Sequence, residues 1–343
     1  MLEKGLIQVY NTKSNQSNFA PIGLGLRAAG HDLRTLITCF SPHELMDGCV
    51  AGAILLKPNL VINHTVPLKD NLESVNTRDL ALKGFKHARN AAIGGAFDIV
   101  ILNGIHSLLR QGIVSSEDLL GLCQNKATNV ELVFSGSNLP EEIMEKAHLV
   151  TEMVVRHHPA RVRMEQTFAH PGLIEVVTGE GKGKTTYCLG KAMLMSSMGI
   201  SSFILQVIKS PKPYGEVMAI ERLPNLTIRT MGRGFLRKKG QTLFEEKHKE
   251  AAKKAWEVWL REIYSMKYGL LVLDEINVAT HYGLIRSERV EEMLFLKPPH
   301  LHLLLSGRNA HPDVMKEATT VIEMREVKHP YYKGIKARKG IEF

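Results

Sequence analysis

Short apolar runs bounded by turn-forming residues recur along the whole chain and predict buried strands. They lie at residues 6–10, 33–40, 59–63, 98–102, 130–134, 172–177, 202–208, 226–229, 270–273 and 301–305. Segments with helical features lie between them, at residues 19–29, 74–92, 115–124, 140–146, 187–195 and 244–266. Because apolar strands that alternate with helices are typical of a parallel sheet covered on both faces, the pattern predicts a three-layer α/β/α fold.

The same pattern occurs twice in the chain. The strand that begins at Gly5 matches the strand that begins at Gly172, and residues 97–106 match residues 268–277. From there the two halves stay in one register, with polar as well as apolar positions matched, up to a His-Pro pair in each. A shared α/β pattern alone would not keep one register over so long a span. We therefore predict two tandem copies of one domain, with the chain divided into residues 1–159, a linker at 160–171, and residues 172–343.

A glycine-rich segment of the second copy, residues 178–186, reads Thr-Gly-Glu-Gly-Lys-Gly-Lys-Thr-Thr between a predicted strand and a predicted helix. Such a loop is typical of the P-loop, in which backbone N–H groups and a helix N-terminus bind phosphate oxygens. The fold prediction is therefore two tandem P-loop NTPase (RecA-like) domains with mainly parallel sheets. The residues predicted to contact the nucleotide are Gly179, Glu180, Gly181, Lys182, Gly183, Lys184, Thr185, Thr186, Gln206 and Arg308.

Asp274 and Glu275 directly follow an apolar strand of the second copy. Because ligands bind at the carboxyl ends of strands in open α/β sheets, these carboxylates are expected near the P-loop. Mg²⁺ prefers oxygen ligands, and Thr185 together with Glu275 or Asp274 would supply them. Arg308 follows another strand and could hold phosphates with two hydrogen bonds. Two plainer interpretations stay open, in which Asp274 caps a helix and Arg308 is an ordinary surface arginine.

The first copy differs at these chemical positions while it keeps its apolar strands. Residues 11–19, at the P-loop position, contain neither a glycine nor a Gly-Lys-Thr sequence. Asn103 and Gly104 stand where the second copy has the two carboxylates, and Ser137 stands where it has Arg308. We interpret the first copy as a structural domain that keeps the fold and no longer has a catalytic role.

Composition narrows the class of partner. The formal net charge of +9 suits either nucleic acid or anionic small molecules such as triphosphates. The basic residues are mostly dispersed and aromatic residues are few, so we expect small-molecule substrates and no nucleic acid. No apolar run is long enough to span a membrane, so no membrane partner is expected. The four cysteines are scattered and form no CxxC pair, which indicates a reducing, cytoplasmic location.

The second copy resembles the P-loop family of corrinoid adenosyltransferases, which act on cob(I)alamin or cob(I)yrinic acid a,c-diamide. The resemblance includes the P-loop, where the family also has a threonine before the first glycine. It extends to further motifs at residues 206–209, 231–235, 255–257, 272–277, 306–308, 323–330 and 334–343. The first copy resembles the same family only as a degraded copy.

The resemblance implies that Co(I) of a corrinoid attacks C5′ of ATP, so that the 5′-deoxyadenosyl group moves to cobalt and triphosphate leaves. The implied substrates are ATP and a reduced corrinoid, with Mg²⁺ as cofactor, in adenosylcobalamin biosynthesis or salvage. Of the residues implied to be catalytic, Phe235 would face the cobalt, while Arg237 stands where the family often has tryptophan. The implied catalytic set is Lys184, Thr185, Glu275 and Phe235.

Because members of the family are usually homodimers, the first copy is expected to replace one partner. The result would be a pseudo-dimer with one active site per chain, which could also form a higher oligomer. The first copy could shape the corrinoid pocket or dock a flavoprotein reductase. Two other functions stay open, a non-catalytic, nucleotide-dependent corrinoid carrier or sensor and a generic P-loop ATPase or kinase. Reaction products separate them, because an adenosyltransferase releases triphosphate whereas an ATPase releases ADP or phosphate.

Overall fold

The computed structural model describes residues 2–13, 17–40, 46–65, 75–157, 172–234 and 242–343, so the predicted linker at 160–171 lies outside the described residues. The first half contains β1 (Ile7–Thr12), α1 (Ala20–Ala29), β2 (Thr35–Cys39), α2 (Met46–Ile54), β3 (Leu60–His64), α3 (Val75–Gly94), β4 (Ile99–Asn103), α4 (His106–Arg110), α5 (Ser116–Asn125), β5 (Glu131–Ser137), α6 (Glu141–Lys146) and β6 (Leu149–His157). The second half contains β7 (Ile174–Thr178), α7 (Lys184–Ser197), β8 (Ser202–Gln206), α8 (Gly215–Ile220), β9 (Leu226–Thr230), α9 (Thr242–Ile263), β10 (Leu270–Asp274), α10 (Ile276–His281), α11 (Ser287–Leu296), β11 (His302–Ser306), α12 (Pro312–Lys316) and β12 (Thr320–Lys328).

The twelve described strands form one sheet in the order β3-β2-β4-β5-β1-β6-β12-β7-β11-β10-β8-β9. From the centre outward, the two halves have the same strand order. Neighbouring described strands are parallel except at the central pair, β6 and β12, which is antiparallel. The predicted α/β class with tandem P-loop-type copies and mainly parallel strands is confirmed. The two copies share one sheet, however, and the strands that join them were not among the predicted ones.

The central strand pair relates the two halves by an approximate twofold axis. Met153 of β6 lies opposite Met324 of β12, and these two methionines occupy equivalent positions in the repeat. On either side of them, Glu152 lies opposite Arg325 and Val154 lies opposite Glu323. A contact in which equivalent residues meet is the pattern of an isologous dimer interface, here formed within one chain.

The helices α1 and α7 cross at the same axis. Gly23 lies as far after Gly5 as Gly190 lies after Gly172, so the two glycines are also equivalent. A Cβ atom on Gly23 would overlap the carbonyl oxygen of Thr186, and a Cβ atom on Gly190 would overlap the carbonyl oxygen of Phe19. The close approach of the two helix backbones therefore requires glycine on both sides.

The buried hydrophobic residues of the described segments form three clusters, one of which belongs to both halves. That cluster lies under α1, α2, α7 and α8 on one face of the sheet, and it includes Ile22 and Leu189. The other face is covered by α3–α6 in the first half and by α9–α12 in the second, each over its own cluster. Within the described residues, no helix is long and apolar enough to cross a membrane.

Candidate active site

The P-loop connects the end of β7 to the start of α7. Gly179 and Gly183 both have φ in the left-handed region, at 96° and 111°. A side chain at Gly179 would also overlap the carbonyl oxygen of Met324, and one at Gly183 would crowd the ring of Tyr10. These glycines are needed for the turn, which leaves the N-terminus of α7 open toward the loop.

Lys184 is buried at the first position of α7. Its Nζ donates to the carbonyl oxygens of Gly179 and Gly181 at 2.7 and 2.6 Å. Burial lowers the pKa of Lys184 to about 8, although the charge of Glu275 opposes the shift. Because its hydrogen-bond acceptors here are neutral, a phosphate oxygen would stabilise the charged form more strongly.

Asp274 lies at the end of β10, between the neighbouring strands β8 and β11, and is almost fully buried. Its Oδ1 accepts hydrogen bonds from the hydroxyl groups of Thr185 and Ser306 at 3.0 and 2.5 Å. Its Oδ2 accepts from Nε2 of Gln206 at 3.0 Å, and Nζ of Lys209 lies 3.9 Å away. The carboxylate therefore ties the P-loop helix to the ends of two further strands.

Glu275 immediately precedes α10 and has a left-handed φ of 67°. Burial raises the pKa of its carboxyl group to about 6, and the neighbouring charge of Asp274 adds to the shift. Gly307 gives it room, because a Cβ atom there would lie 3.1 Å from Oε2 of Glu275. The adjacent carboxylates of Asp274 and Glu275 thus have different surroundings, because Asp274 accepts several side-chain hydrogen bonds whereas Glu275 lines the cavity.

A cavity of about 550 Å³ opens over the P-loop. This volume is in the range of small-molecule binding sites. The second half lines it with Glu180, Gly181, Lys182, Gly183, Lys184, Thr185, Thr186, Ile208, Lys209, Glu275, Val278, Tyr282, Arg308, Asn309, Ile341 and Glu342. The first half lines it with Gln8, Tyr10, Leu24 and Arg27. The cavity is therefore built by both halves.

Arg308 and Glu180 form the exposed edge of this cavity. Nε of Arg308 lies 3.2 Å from Oε2 of Glu180, and Nη2 donates to the Glu180 carbonyl oxygen at 3.2 Å. About half of the Arg308 side chain is exposed, so this ion pair is screened by water. A phosphate group in the cavity would compete with this carboxylate for Arg308.

The C-terminal tail closes another side of the cavity. Oε1 of Glu342 accepts from Nζ of Lys182 at 2.9 Å, and Oε2 accepts from the backbone N–H of Arg338 at 2.6 Å. Burial by itself would raise the pKa of Glu342, but the charges of Lys182 and Arg338 outweigh it and lower the pKa. The tail thus holds one P-loop lysine in place.

The structure brings most of the predicted site residues together. Lys184, Thr185, Glu275 and Arg308 line one cavity, while Asp274 and Gln206 lie beneath its surface. Their roles in binding and catalysis stay predictions. Phe235 and Arg237 lie outside the described residues, so the predicted cobalt-facing position is not described.

Sequence reasoning missed the cavity residues that come from the first half. Tyr10 and Arg27 lie in segments that were assigned to a copy without chemistry. One signal could have found Arg27, because it is a charged residue where the second copy has Leu194. Because a buried charge requires partners, an arginine at that position indicates contacts with the other half.

The corresponding strand ends of the first half have lost their charges. Cys39 lies at the position of Gln206, and its Sγ accepts from Nδ2 of Asn103 at 3.7 Å. Asn103 itself replaces Asp274. These neutral groups therefore replace a site that contains the carboxylate of Asp274 and the ammonium group of Lys209 in the second half.

The fold and site define a P-loop nucleotide-binding protein of the α/β class. The chain belongs to the family described as ATP:corrinoid adenosyltransferase BtuR/CobO/CobP, whose model matches it twice, at residues 3–167 and 170–343. The two matches agree with the duplicated strand order.

Individual relatives fall into two kinds. A corrinoid adenosyltransferase of Pseudomonas aeruginosa is 34% identical over 173 residues, which cover 50% of this chain and 84% of that protein. Corrinoid adenosyltransferase CobA of Salmonella typhimurium is 32% identical over 181 residues, which cover 53% of this chain and 90% of that protein. An uncharacterized protein of Nostoc sp. is 27% identical over 342 residues, which cover 94% of this chain and 89% of that protein. Relatives of both single and double length therefore exist.

Proposed function

We propose that the second half transfers the 5′-deoxyadenosyl group of ATP to the Co(I) of a corrinoid and releases triphosphate. The observation that supports this most is the contrast between the halves. Both match the family model, but the P-loop, Lys184 and the Thr185–Asp274 pair belong to the second half. We assign the degenerate domain to residues 1–159, the linker to 160–171 and the catalytic domain to 172–343.

The reaction requires charge stabilisation more than a protein nucleophile. Co(I) supplies the electron pair that forms the bond to C5′, and the C5′–O bond breaks with its pair retained by the triphosphate. The leaving group is a polyanion, and Lys184, Lys182 and the N–H groups at the start of α7 face the cavity where it would lie. Groups placed in advance at developing negative charge lower the barrier without reorganisation.

Thr185 and Asp274 have the chemistry of a Mg²⁺ site. Oγ1 of Thr185 and Oδ1 of Asp274 are hard oxygen donors 3.0 Å apart, which is the pair that holds Mg²⁺ in other P-loop proteins. Glu275 lines the cavity beside them and could serve as a further ligand. A bound Mg²⁺ would neutralise charge on the triphosphate. These residues fit the ion, and their own task is to orient it against the P-loop.

The first half takes the place of a partner subunit in this proposal. It lacks its own phosphate-binding loop, yet Gln8, Tyr10, Leu24 and Arg27 complete the cavity of the other half. One nucleotide site per chain follows from this arrangement. Equilibrium binding that finds two ATP sites per chain would contradict it.

The test is an anaerobic incubation with ATP, Mg²⁺ and chemically reduced cobalamin. Formation of the cobalt–carbon bond is followed by absorbance, and the phosphate products are identified. We expect adenosylcobalamin and triphosphate from the wild-type chain, and none from Lys184→Ala. Lys13→Ala, at the equivalent loop of the first half, should leave the rate unchanged. Release of ADP without a cobalt–carbon bond would favour an ATPase, and binding without any product would favour a carrier or sensor.

A further inference from the structure

One buried cation at the candidate active site comes from the first half. Nε of Arg27, on α1, donates to Oε2 of Glu216 at 2.9 Å. Its Nη1 donates to the carbonyl oxygens of Ile341 and Glu342 at 3.3 and 3.2 Å. Only 6% of Arg27 is exposed, and these contacts in separate directions fix its planar guanidinium group.

Glu216 is fully buried at the start of α8 and has further partners on its other oxygen. Its Oε1 accepts from Nζ of Lys209 at 2.6 Å and from Nε2 of Gln206 at 3.4 Å. Burial alone would raise the pKa of Glu216, but the charges of Arg27 and Lys209 outweigh burial and hold it well below its ordinary value. Glu216 is therefore ionised at neutral pH and shares its charge between two cations.

Lys209 and Gln206 are also the groups that approach Asp274. Nε2 of Gln206 lies 3.0 Å from Oδ2 of Asp274, and Nζ of Lys209 lies 3.9 Å from it. Two buried carboxylates thus share the same two donors. Arg27 balances part of the charge of Glu216, and this leaves Lys209 and Gln206 in reach of Asp274. Without Arg27, Lys209 would be the cation left to balance Glu216, and it would be drawn away from Asp274.

The repeat shows that this polar set is absent as a whole from the degenerate site. Counting from Gly5 and Gly172, Arg27 matches Leu194, Cys39 matches Gln206, and Cys49 matches Glu216. Where the P-loop is missing, the facing residues are therefore a leucine and two buried cysteines. Arg27 itself lies in the half without a P-loop. Its hydrogen-bond partners Glu216, Ile341 and Glu342 all belong to the opposite half.

We propose that Arg27 is a positioning residue that acts across the two halves. It holds Glu216, so that Gln206 stays hydrogen-bonded to Asp274 and Lys209 stays within 3.9 Å of it. Asp274 in turn holds the hydroxyl of Thr185 in the geometry that receives Mg²⁺-bound ATP. This role rests on the proposed function, because it requires the Thr185 hydroxyl held by Asp274 to receive the Mg²⁺ of bound ATP.

The first test replaces Arg27 with methionine, which keeps the unbranched apolar part of the side chain and removes the charged guanidinium group. ATP binding is measured by calorimetric titration with and without Mg²⁺, below the unfolding temperature of each variant. We expect Arg27→Met to weaken binding about tenfold or more with Mg²⁺, and less without it. Arg27→Lys should recover part of the loss. Arg222→Met is the matched control, because Arg222 also joins the halves, through the carbonyl oxygens of Leu55 and Lys57. It should leave both affinities unchanged.

A double-mutant cycle separates positioning from packing. If Arg27 acts through Glu216, Arg27→Met should have no further effect on Mg²⁺-dependent binding in a Glu216→Gln background. The double variant has no buried carboxylate at position 216 that would lack its arginine. The double variant can therefore be compared with Glu216→Gln even if Arg27→Met alone does not fold. Additive effects in the cycle would overturn the proposal. So would a folded Arg27→Met chain with wild-type affinity for ATP in the presence of Mg²⁺.

The binding measurement contains no corrinoid, so its result is independent of adenosyl transfer. A wild-type chain that binds ATP with Mg²⁺ but forms no cobalt–carbon bond would contradict the proposed function and leave the test of Arg27 valid. A wild-type chain that does not bind ATP with Mg²⁺ would overturn both.

Discussion

Lys184 holds a positive charge where burial makes that charge unfavourable. Its ammonium group hydrogen-bonds to two carbonyl oxygens of the P-loop, and burial lowers its pKa to about 8. A triphosphate in the cavity would restore the pKa toward its ordinary value, because a nearby anion favours the charged form. If ATP binds here as proposed, its binding is therefore linked to protonation of Lys184.

We expect the affinity for ATP to be constant below about pH 8 and to fall about tenfold per pH unit above it. The sign follows because the free protein loses the Lys184 proton in this range while the complex keeps it, so that binding takes up a proton. Calorimetric titration in two buffers of different ionisation enthalpy, at about pH 9 and about pH 7, measures the uptake. Lys184→Arg is the control, because arginine stays charged at both pH values and its variant should take up no proton at this position when ATP binds. Equal proton uptake at both pH values in the wild type would contradict the expectation.

The grouping of the second half's candidate site residues could be predicted because their signals are local. Lys184 and Thr185 end a glycine-rich loop, and Asp274 follows an apolar strand, so short segments identify them. Tyr10 and Arg27 could not be predicted in the same way. They reach the cavity from the other half, and their own segments show no binding motif. Contacts across a repeat depend on how the copies pack, which no short pattern contains.

The helices α1 and α7 form one of the close backbone contacts between the two halves. Gly23 faces the carbonyl oxygen of Thr186 in α7, and Gly190 faces that of Phe19, which directly precedes α1. Because α7 begins with Lys184, the angle of this crossing also fixes the P-loop against the first half. Helix packing and the site geometry are therefore coupled.

Gly190→Ala should lower the free energy of unfolding by about 2 kcal/mol, because its methyl group would overlap the carbonyl oxygen of Phe19. Gly121 is a matched control, since it also lies in a helix, α5, but a Cβ atom there would meet nothing within 4 Å. Gly121→Ala should be neutral or stabilise by up to about 1 kcal/mol. Denaturant unfolding of both variants makes the comparison. A neutral Gly190→Ala variant would show that the helices do not meet this closely.

The two strands that escaped prediction, β6 and β12, are those whose pattern depends on the other half. β6 and β12 contain Glu152, Glu323 and Arg325, which break the apolar run that marks a central strand. Nη1 of Arg325 lies 3.9 Å from Glu152, and Nε of Arg156 donates to Glu323 at 2.8 Å, so the charges are paired across the seam. Short helices such as α4 and α12 were missed for another reason. They are little more than one turn long and show no periodicity.

The C-terminal tail ties the whole molecule together. Arg338 makes two hydrogen bonds to Glu131 of the first half, from Nη1 at 2.7 Å and from Nη2 at 2.9 Å. Glu131 is fully buried and also accepts from the backbone N–H of Leu6 at 2.6 Å. The ion pair between Arg338 and Glu131, the shared sheet and the shared core cluster should together make the two halves unfold as one unit.

Arg338→Met should lower the free energy of unfolding by about 3 kcal/mol, because it leaves the buried carboxylate of Glu131 without its cation. Calorimetry should show one transition for the wild-type chain and one transition at lower temperature for the variant. Lys254→Met is the control, since it removes an exposed ion pair with Glu250 and should not move the transition. Two separate transitions in the wild type would show that the halves fold independently.

The antiparallel seam between β6 and β12 is closed within one polypeptide. A cavity lined by two separate chains exists only while the chains are associated. Dilution dissociates them, and the cavity then loses the residues of one chain. Here the local concentration of one half around the other is fixed by the chain, so the cavity stays complete however dilute the protein is. In a homodimer every substitution appears in both subunits, whereas in this single chain a substitution changes only one of the two halves. Arg27 and Leu194 can therefore differ, although they occupy equivalent positions.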